Sequence, residues 1–104
     1  MYTKRTFVPA GSTANLCLRV RDQNGDIVTL PCPPDTIEIN DPRGTLKAVI
    51  GPSRLDPPSF TYRVDYQTDI ADIRGTWRAD WVIQYTFKGT TFTERWPFYF
   101  ELTD

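Results

Sequence analysis

Apolar and polar side chains alternate through most of this sequence, and no segment shows a convincing 3.6-residue apolar period. In the segment 13–22, Ala14, Leu16, Leu18 and Val20 fall on one side of an extended chain and polar residues fall on the other. The same alternation appears in the segments 35–41, 45–50, 60–66, 76–87 and 91–102. This period predicts β-strands that each bury one face.

Turn residues separate the alternating segments. Asn24-Gly25 suits a hairpin turn before a short strand over 27–30, and the run from Asp41 to Gly44 has β-turn chemistry. The proline-rich stretch 51–59 is predicted to be a loop. About seven short strands with frequent turns predict an all-β fold, an immunoglobulin-like two-sheet antiparallel β-sandwich. A small barrel is the alternative.

The length fits a single domain over residues 1–104, with residues 1–7 as an extended N-terminal arm. Pro97 has outward parity and cannot donate a ladder hydrogen bond, which predicts an edge position or a bulge. In the connection before residue 75, Ile70 and Ile73 are expected to tuck under the sandwich. The alternation assigns these residues to the core: Leu16, Leu18, Val20, Ile37, Ile39, Tyr62, Val64, Trp77, Trp81, Phe98 and Phe100.

The charge balance argues against some partners. Lys and Arg number 12 and Asp and Glu number 13, with the signs interspersed, so no nucleic-acid partner is expected. A basic patch of Arg19, Arg21, Lys47 and Arg63 on one sheet face is the alternative to ordinary solvated strand faces. No apolar run approaches the roughly 20 residues that span a membrane, and no secretory signal is recognisable. We therefore expect no membrane partner, and synthesis in the cytoplasm.

No residue set for catalysis or for a cofactor is recognisable. The chain has no histidine, and Cys17 and Cys32 are too few ligands for a zinc site, so we expect no cofactor and no enzymatic activity. Two reduced thiols are favoured, and a disulfide between Cys17 and Cys32 is the alternative. A Ca²⁺ site at Asp65, Asp69 and Asp72 is an alternative to solvated loop acids, but the spacing of an EF-hand is missing.

Partner contacts are predicted on one strand face and in two loops. Tyr99 and Val82, like Val49, have outward parity, and an exposed aromatic beside aliphatic side chains is typical of an interface. The stiff proline loops either contact a partner or serve as rigid connections; their residues are Pro33, Pro34, Pro57 and Pro58. A stacking platform is the alternative to a core role for Trp81, Trp96, Phe98, Tyr99 and Phe100.

Five short motifs follow one another along nearly the whole chain: PAGST at 9–13, VRDQNGDIV at 20–28, INDPRGTL at 39–46, SFTYRV at 59–64 and RGTWRADWVIQY at 74–85. Their order resembles that of bacterial and phage immunoglobulin-like domains, including the macroglobulin-like and bacterial-Ig groups. The resemblance implies a β-sandwich whose role is interaction or architecture, since such scaffolds seldom carry catalysis.

Within that resemblance, the expected function is a non-enzymatic structural protein of a tailed bacteriophage virion. Capsid decoration (a cement protein) is favoured, because a compact, near-neutral, disulfide-independent domain with its own initial Met is typical of small phage structural genes. The alternatives are a neck, tail or baseplate adaptor protein, and a cell-surface glycan or receptor binding module. The expected partners are other virion proteins, either major capsid or neck and tail proteins. The expected location is the virion, in multiple copies.

Overall fold

Two β-sheets enclose one core in the computed structural model, which describes residues 6–30 and 34–104, with the backbone alone at positions 85 and 87. The five-stranded sheet has the order β1-β8-β7-β3-β4, and the three-stranded sheet has the order β2-β6-β5. The strands are β1 (Phe7–Pro9), β2 (Thr13–Leu18), β3 (Thr36–Asn40), β4 (Leu46–Ile50), β5 (Arg54–Asp56), β6 (Thr61–Gln67), β7 (Gly75–Phe87) and β8 (Thr90–Thr103). The fold is therefore an all-β, immunoglobulin-like sandwich, as the alternation predicts.

Neighbouring strands are antiparallel except for β1, which pairs with the end of β8 in parallel. The described part of the chain contains no helix of a length and hydropathy that would cross a membrane. The hairpin of β7 and β8 pairs along all of β7, and Lys88 and Gly89 at its tip both have positive φ, at 49° and 78°. Two positive φ angles are what a two-residue hairpin turn of type I′ requires.

The inward side chains of both sheets form the core. Trp77 packs between Tyr66 and Phe100, with ring centroids 6.5 Å and 6.0 Å away. The hydroxyl of buried Tyr62 accepts a 2.7 Å hydrogen bond from the Leu30 amide, which satisfies its polar end. Among the residues assigned to the core from the alternation, the structure buries Leu16, Val20, Ile37, Ile39, Tyr62, Trp77, Trp81 and Phe100, and it places Leu18, Val64 and Phe98 half-buried against them.

Three predictions about strand positions differ from the structure. Residues 54–56, predicted as part of a loop, form β5, because they pair with the next strand, β6, across the turn that contains Pro57 and Pro58. Phe7, assigned to an N-terminal arm, starts β1, and the Thr6 carbonyl accepts a hydrogen bond from the Glu101 amide. The predicted strand over 27–30 is reduced to a single bridge between Arg21 and Ile27.

The prediction that Ile70 and Ile73 tuck under the sandwich is wrong: their side chains are 73% and 39% exposed. Polar contacts hold this connection in place. Asp72 accepts a hydrogen bond from the Asp69 amide, and Arg74 donates to the Ile70 and Asp72 carbonyls. Because the backbone is fixed by these bonds, the apolar side chains turn outward.

Pro97 lies at an open edge, one of the two positions predicted for it. It faces Asp80 of β7, while β1 contacts β8 only at positions 101–103. In the described residues no strand lies on the other side of Pro97, so its missing amide hydrogen breaks no ladder.

Candidate interaction surface

The solvent-facing side of the five-stranded sheet, called here the outer face, carries the predicted contacts Tyr99 and Val82. Strand register determines which residues lie side by side across the strands, and each such set is called a row here. One row contains Leu46, Asn40, Arg78 and Tyr99. Neighbouring rows are Val49, Glu38, Asp80 and Pro97, then Thr36, Val82 and Arg95, and finally Thr76, Glu101 and Phe7. These residues come from all five strands, so the surface exists only in the assembled sheet.

The centre of the outer face is polar and tightly bonded. The Asp80 carboxylate accepts hydrogen bonds from Arg78 Nε at 3.0 Å and from Asn40 Nδ2 at 3.3 Å. Asp80 and Asn40 are each only 8% exposed although they lie on the outer side of the sheet. A buried carboxylate is tolerated here because the Arg78 guanidinium pairs with its charge and the Asn40 amide donates a second hydrogen bond.

A second ion pair crosses three strands on this face. Arg95 on β8 reaches over β7 and donates from Nε to Glu38 Oε1 on β3 at 2.9 Å. The hydrogen bond and the charge of Glu38, with a further contribution from Asp80, raise the pKa of the Arg95 guanidinium above its already high usual value. Two arginines thus balance two carboxylates, and the centre of the outer face is charge-neutral.

Exposed apolar side chains lie on both sides of this polar centre. Phe7 (62% exposed) and Tyr99 (57%) are near the β1–β8 edge, and Leu46 (53%) and Val49 (57%) are on the β4 edge. Strands lie about 4.8 Å apart, so β8 and β4, three steps away from each other, are separated by roughly 14 Å. The outer face therefore presents two apolar pairs with a satisfied polar strip between them.

The structure brings together only some of the predicted contact residues. Tyr99 is exposed and Val82 is half-buried, and both lie on the outer face. Pro57 and Pro58 are exposed, but they follow β5 in the other sheet. Pro34 is buried, and its carbonyl accepts two hydrogen bonds from Ser53, at 2.9 Å and 2.6 Å. Pro34 is therefore a rigid connection, not an exposed contact, and Pro33 lies outside the described residues.

Sequence reasoning missed Phe7 and Leu46 as members of this surface. Phe7 had been assigned to an arm, and its place is set by parallel pairing with β8, for which the local sequence carries no signal. Leu46 faces outward because the register of β3 and β4 shifts between Ile39 and Asn40. The shift breaks the simple alternation from which inward and outward faces were predicted.

The acidic residues considered as a Ca²⁺ site do not form one cluster. Asp65 is exposed on β6, whereas Asp72 is 7% exposed and its carboxylate binds the Asp69 amide and, at 3.7 Å, Lys47 Nζ. Over residues 6–30 and 34–104, no group of three potential metal ligands comes together. Cys17 is a half-buried free thiol, and Cys32 lies outside the described residues.

The alternative of an aromatic stacking platform needs correction. Trp81 and Phe100 are buried and Trp96 and Phe98 are half-buried, which leaves Tyr99 as the exposed member of the proposed platform. Core packing therefore uses most of these rings.

The four cations proposed as a basic patch divide between the sheets. Lys47 is on β4 and pairs with Asp72, whereas Arg63 is on β6 and Arg19 follows β2. Arg21 donates to the Gly25 carbonyl in the turn beyond. Parity alone could not separate them, because each sheet has its own solvent-facing side.

Comparison with known proteins supports the fold. No protein-family model matches the sequence, and no curated protein matches it. Among solved structures, a crystal structure of Salmonella alpha-2-macroglobulin reacted with methylamine is similar, with a TM-score of 0.62 and 25% sequence identity. The match covers 99% of this chain and 6% of that chain. The chain is thus a macroglobulin-like, immunoglobulin-like β-sandwich domain that corresponds to a small part of the much longer Salmonella protein.

Proposed function

We propose that this domain is a non-enzymatic structural protein of a tailed bacteriophage virion that binds a neighbouring subunit through its outer face. Capsid decoration is the favoured position, and a neck, tail or baseplate adaptor is the alternative position. The observation that carries the proposal is the pair of exposed apolar clusters, Phe7 with Tyr99 and Leu46 with Val49, on a rigid sheet. Exposed aromatic and aliphatic side chains on one face are typical of a surface that another protein covers.

The polar strip fits the same role. Its charges are already paired within the domain, by Arg78 with Asp80 and by Arg95 with Glu38. A partner that covers this strip therefore leaves none of its four charges without an ion pair, and an unpaired buried charge is the main penalty of covering such groups. The apolar pairs supply affinity, and the polar strip fixes the orientation of the partner and adds specificity.

A second candidate is a module of a larger cell-surface protein that binds glycan or a receptor. The likeness to Salmonella alpha-2-macroglobulin favours it, because the matching region is 6% of a long chain. In this setting the outer face contacts the next domain of the same protein. The two candidates predict different neighbours for the same surface.

Quantitative mass spectrometry of purified virus particles from the source lysate tests the first proposal. A copy number close to that of the major capsid protein supports decoration, and a small, ring-like number moves the protein to the neck or tail. If the protein is missing from the particles, the virion proposal fails and the cell-surface module takes its place.

Variants of the outer face test the binding mode. Tyr99→Ala and Val49→Lys are expected to reduce retention on particles at least about tenfold, because an interface tyrosine is a typical hot spot and a lysine at position 49 puts a charge where a partner would cover the face. Ile70→Ser is the matched control, since Ile70 is 73% exposed but lies in the connection before β7, away from the outer face. Equal retention of all three variants would show that another surface is used.

A further inference from the structure

The solvent-facing side of the three-stranded sheet carries a cluster of arginines that the proposed interaction does not use. Arg54 on β5 lies directly opposite Arg63 on β6, and Arg63 in turn lies opposite Cys17 on β2. In the next row Asp56 lies opposite Thr61, whose hydroxyl oxygen accepts a 3.3 Å hydrogen bond from Arg19 Nη2. Three guanidinium groups therefore share one small area of this sheet.

The charges of this cluster are only partly balanced. Asp56 Oδ2 lies 3.6 Å from Arg63 Nε and also accepts a 2.7 Å hydrogen bond from Ser59 Oγ. Arg54 has no ion pair within 4.0 Å among residues 6–30 and 34–104, and Asp65, the next acid on this face of β6, is exposed. Like charges directly opposite each other in an antiparallel pair are destabilising. The sheet thus holds positive charge that its own carboxylates leave unpaired.

A shallow cavity of about 300 Å³ opens beside these residues, and it is lined by Arg54, Leu55, Asp56, Pro57 and Arg63. Its volume lies at the lower end of the range for small-molecule sites. Both arginines of the opposed pair line it, and Leu55 and Pro57 provide an apolar wall. Guanidinium groups bind carboxylate and phosphate oxygens through paired hydrogen bonds, which suits an anionic group at this position.

We propose that the Arg54–Arg63 cavity is a binding site for an oxyanion, a carboxylate or a phosphate group carried on a short stem. The anion relieves the repulsion between the two arginines, and the stem contacts Leu55 and Pro57. Arg19 adds long-range attraction, so binding weakens as salt is raised. The site is in the three-stranded sheet, whereas the proposed protein contacts are in the five-stranded sheet. An experiment can therefore support one of these two proposals and reject the other.

Amide chemical shifts of the ¹⁵N-labelled protein, recorded at low salt, test the site directly. Three probes are titrated separately: inorganic phosphate, glutarate, and a short peptide with one glutamate between neutral residues. Saturable shifts centred on residues 54–56 and 61–63 are the expected result. Saturation by phosphate or glutarate indicates a small-molecule anion, and saturation by the peptide alone indicates an acidic side chain of a protein.

Arg54→Gln and Arg63→Gln are each expected to weaken binding at least about tenfold, because each removes one charge-assisted contact. Arg43→Gln is the control: it removes the same charge from the turn before β4, where Arg43 is 69% exposed and pairs with Asp41. If Arg63→Gln folds poorly, the binding measured with Arg54→Gln alone tests the proposal. Shifts that do not saturate with any probe, or that are the same in Arg54→Gln, overturn the proposal.

Discussion

Two buried tryptophans on β7 differ in how their indole nitrogens are satisfied. Trp77 Nε1 donates to the Ile73 carbonyl at 2.8 Å, whereas Trp81 Nε1 has no hydrogen-bond partner among the described residues. Both side chains are at most 1% exposed. An unpaired buried N–H costs free energy, so the two rings contribute unequally to stability although the alternation treats them alike.

Replacing each ring by phenylalanine separates these contributions. Both Trp77→Phe and Trp81→Phe lose ring volume, but the first also loses a hydrogen bond to the Ile73 carbonyl, whereas the second removes an N–H that is buried without a partner. We expect Trp77→Phe to lower the free energy of unfolding by about 1–3 kcal/mol more than Trp81→Phe does. Urea denaturation of the two variants measures the difference. Equal losses would mean that the Trp77 hydrogen bond contributes nothing to the free energy of unfolding beyond the packing of the ring.

Asp41 organises the turn between β3 and β4. Its Oδ1 accepts hydrogen bonds from the Arg43 and Thr45 amides, and its Oδ2 lies 3.2 Å from Arg43 Nη2. Burial acts to raise the pKa of the Asp41 carboxyl, but the bond from Thr45 and the bonds and charge of Arg43 outweigh it and lower the pKa. The ionised form is therefore favoured in the folded protein.

This lowered pKa makes a prediction about acid stability. A carboxyl with a lower pKa in the folded state stabilises the protein above its unfolded pKa of about 3.9 and loses that effect as the pH falls through the folded pKa. Asp41→Asn should therefore lower the melting temperature by a larger amount at pH 7 than at pH 2–3, which lies below the unfolded pKa. Thermal unfolding at both pH values checks this. A deficit of equal size at both would show that the charge of Asp41 is irrelevant.

At the scale of elements, the chain changes sheets between β4 and β5. Gly51 has a φ of +140°, and a side chain there would overlap the carbonyl of Asp35. Ser53, two residues later, is bound through its amide and hydroxyl to the Pro34 carbonyl. This close approach anchors the crossing and brings Arg54 onto the edge of the second sheet, where it meets Arg63.

Gly51→Ala is expected to destabilise the protein by about 3–5 kcal/mol, because it adds overlap to an unfavourable backbone angle. Gly44→Ala is the matched control: Gly44 has a φ of +82° but open space around it, so a cost of about 1–2 kcal/mol is expected. Chemical denaturation compares the two. A cost at Gly51 no larger than at Gly44 would show that the chain relaxes around the crossing.

For the whole molecule, the core and the proposed interaction surface lie on opposite sides of the five-stranded sheet. Its inner side contributes Trp77, Trp81 and Phe100 to the core, and its outer side exposes Tyr99 and Val49. Side chains that are more than half exposed contribute little to folding. The exposed side chains of the outer face can therefore be changed at little cost to the stability of the fold.

This division predicts that Tyr99→Ala and Val49→Lys, which places a cation opposite Glu38, change the free energy of unfolding of the isolated domain by less than about 0.5 kcal/mol. Trp77→Ala, by contrast, is expected to cost about 3–5 kcal/mol. Equilibrium unfolding of the three variants provides the comparison. Losses above about 1.5 kcal/mol for either outer-face variant would mean that this face serves the fold itself.

The amino-acid sequence alone determined which side of each long strand is buried and where the turns lie. The alternation from Ala14 to Val20 and from Trp77 to Phe87 is a local property, and so are the turns at Gly25, Gly44 and Gly89. These features rest on backbone geometry and on the transfer of side chains from water, neither of which needs a distant partner. The all-β fold class follows from them.

Only the tertiary structure decided which strands become neighbours and therefore which outward residues share a surface. The pairing of β1 with β8 placed Phe7 near Tyr99, the register shift in β4 turned Leu46 outward, and the short β5 set Arg54 against Arg63. Pairing between distant segments depends on the free energy of the whole assembled core. The alternation of one strand carries no information about that choice.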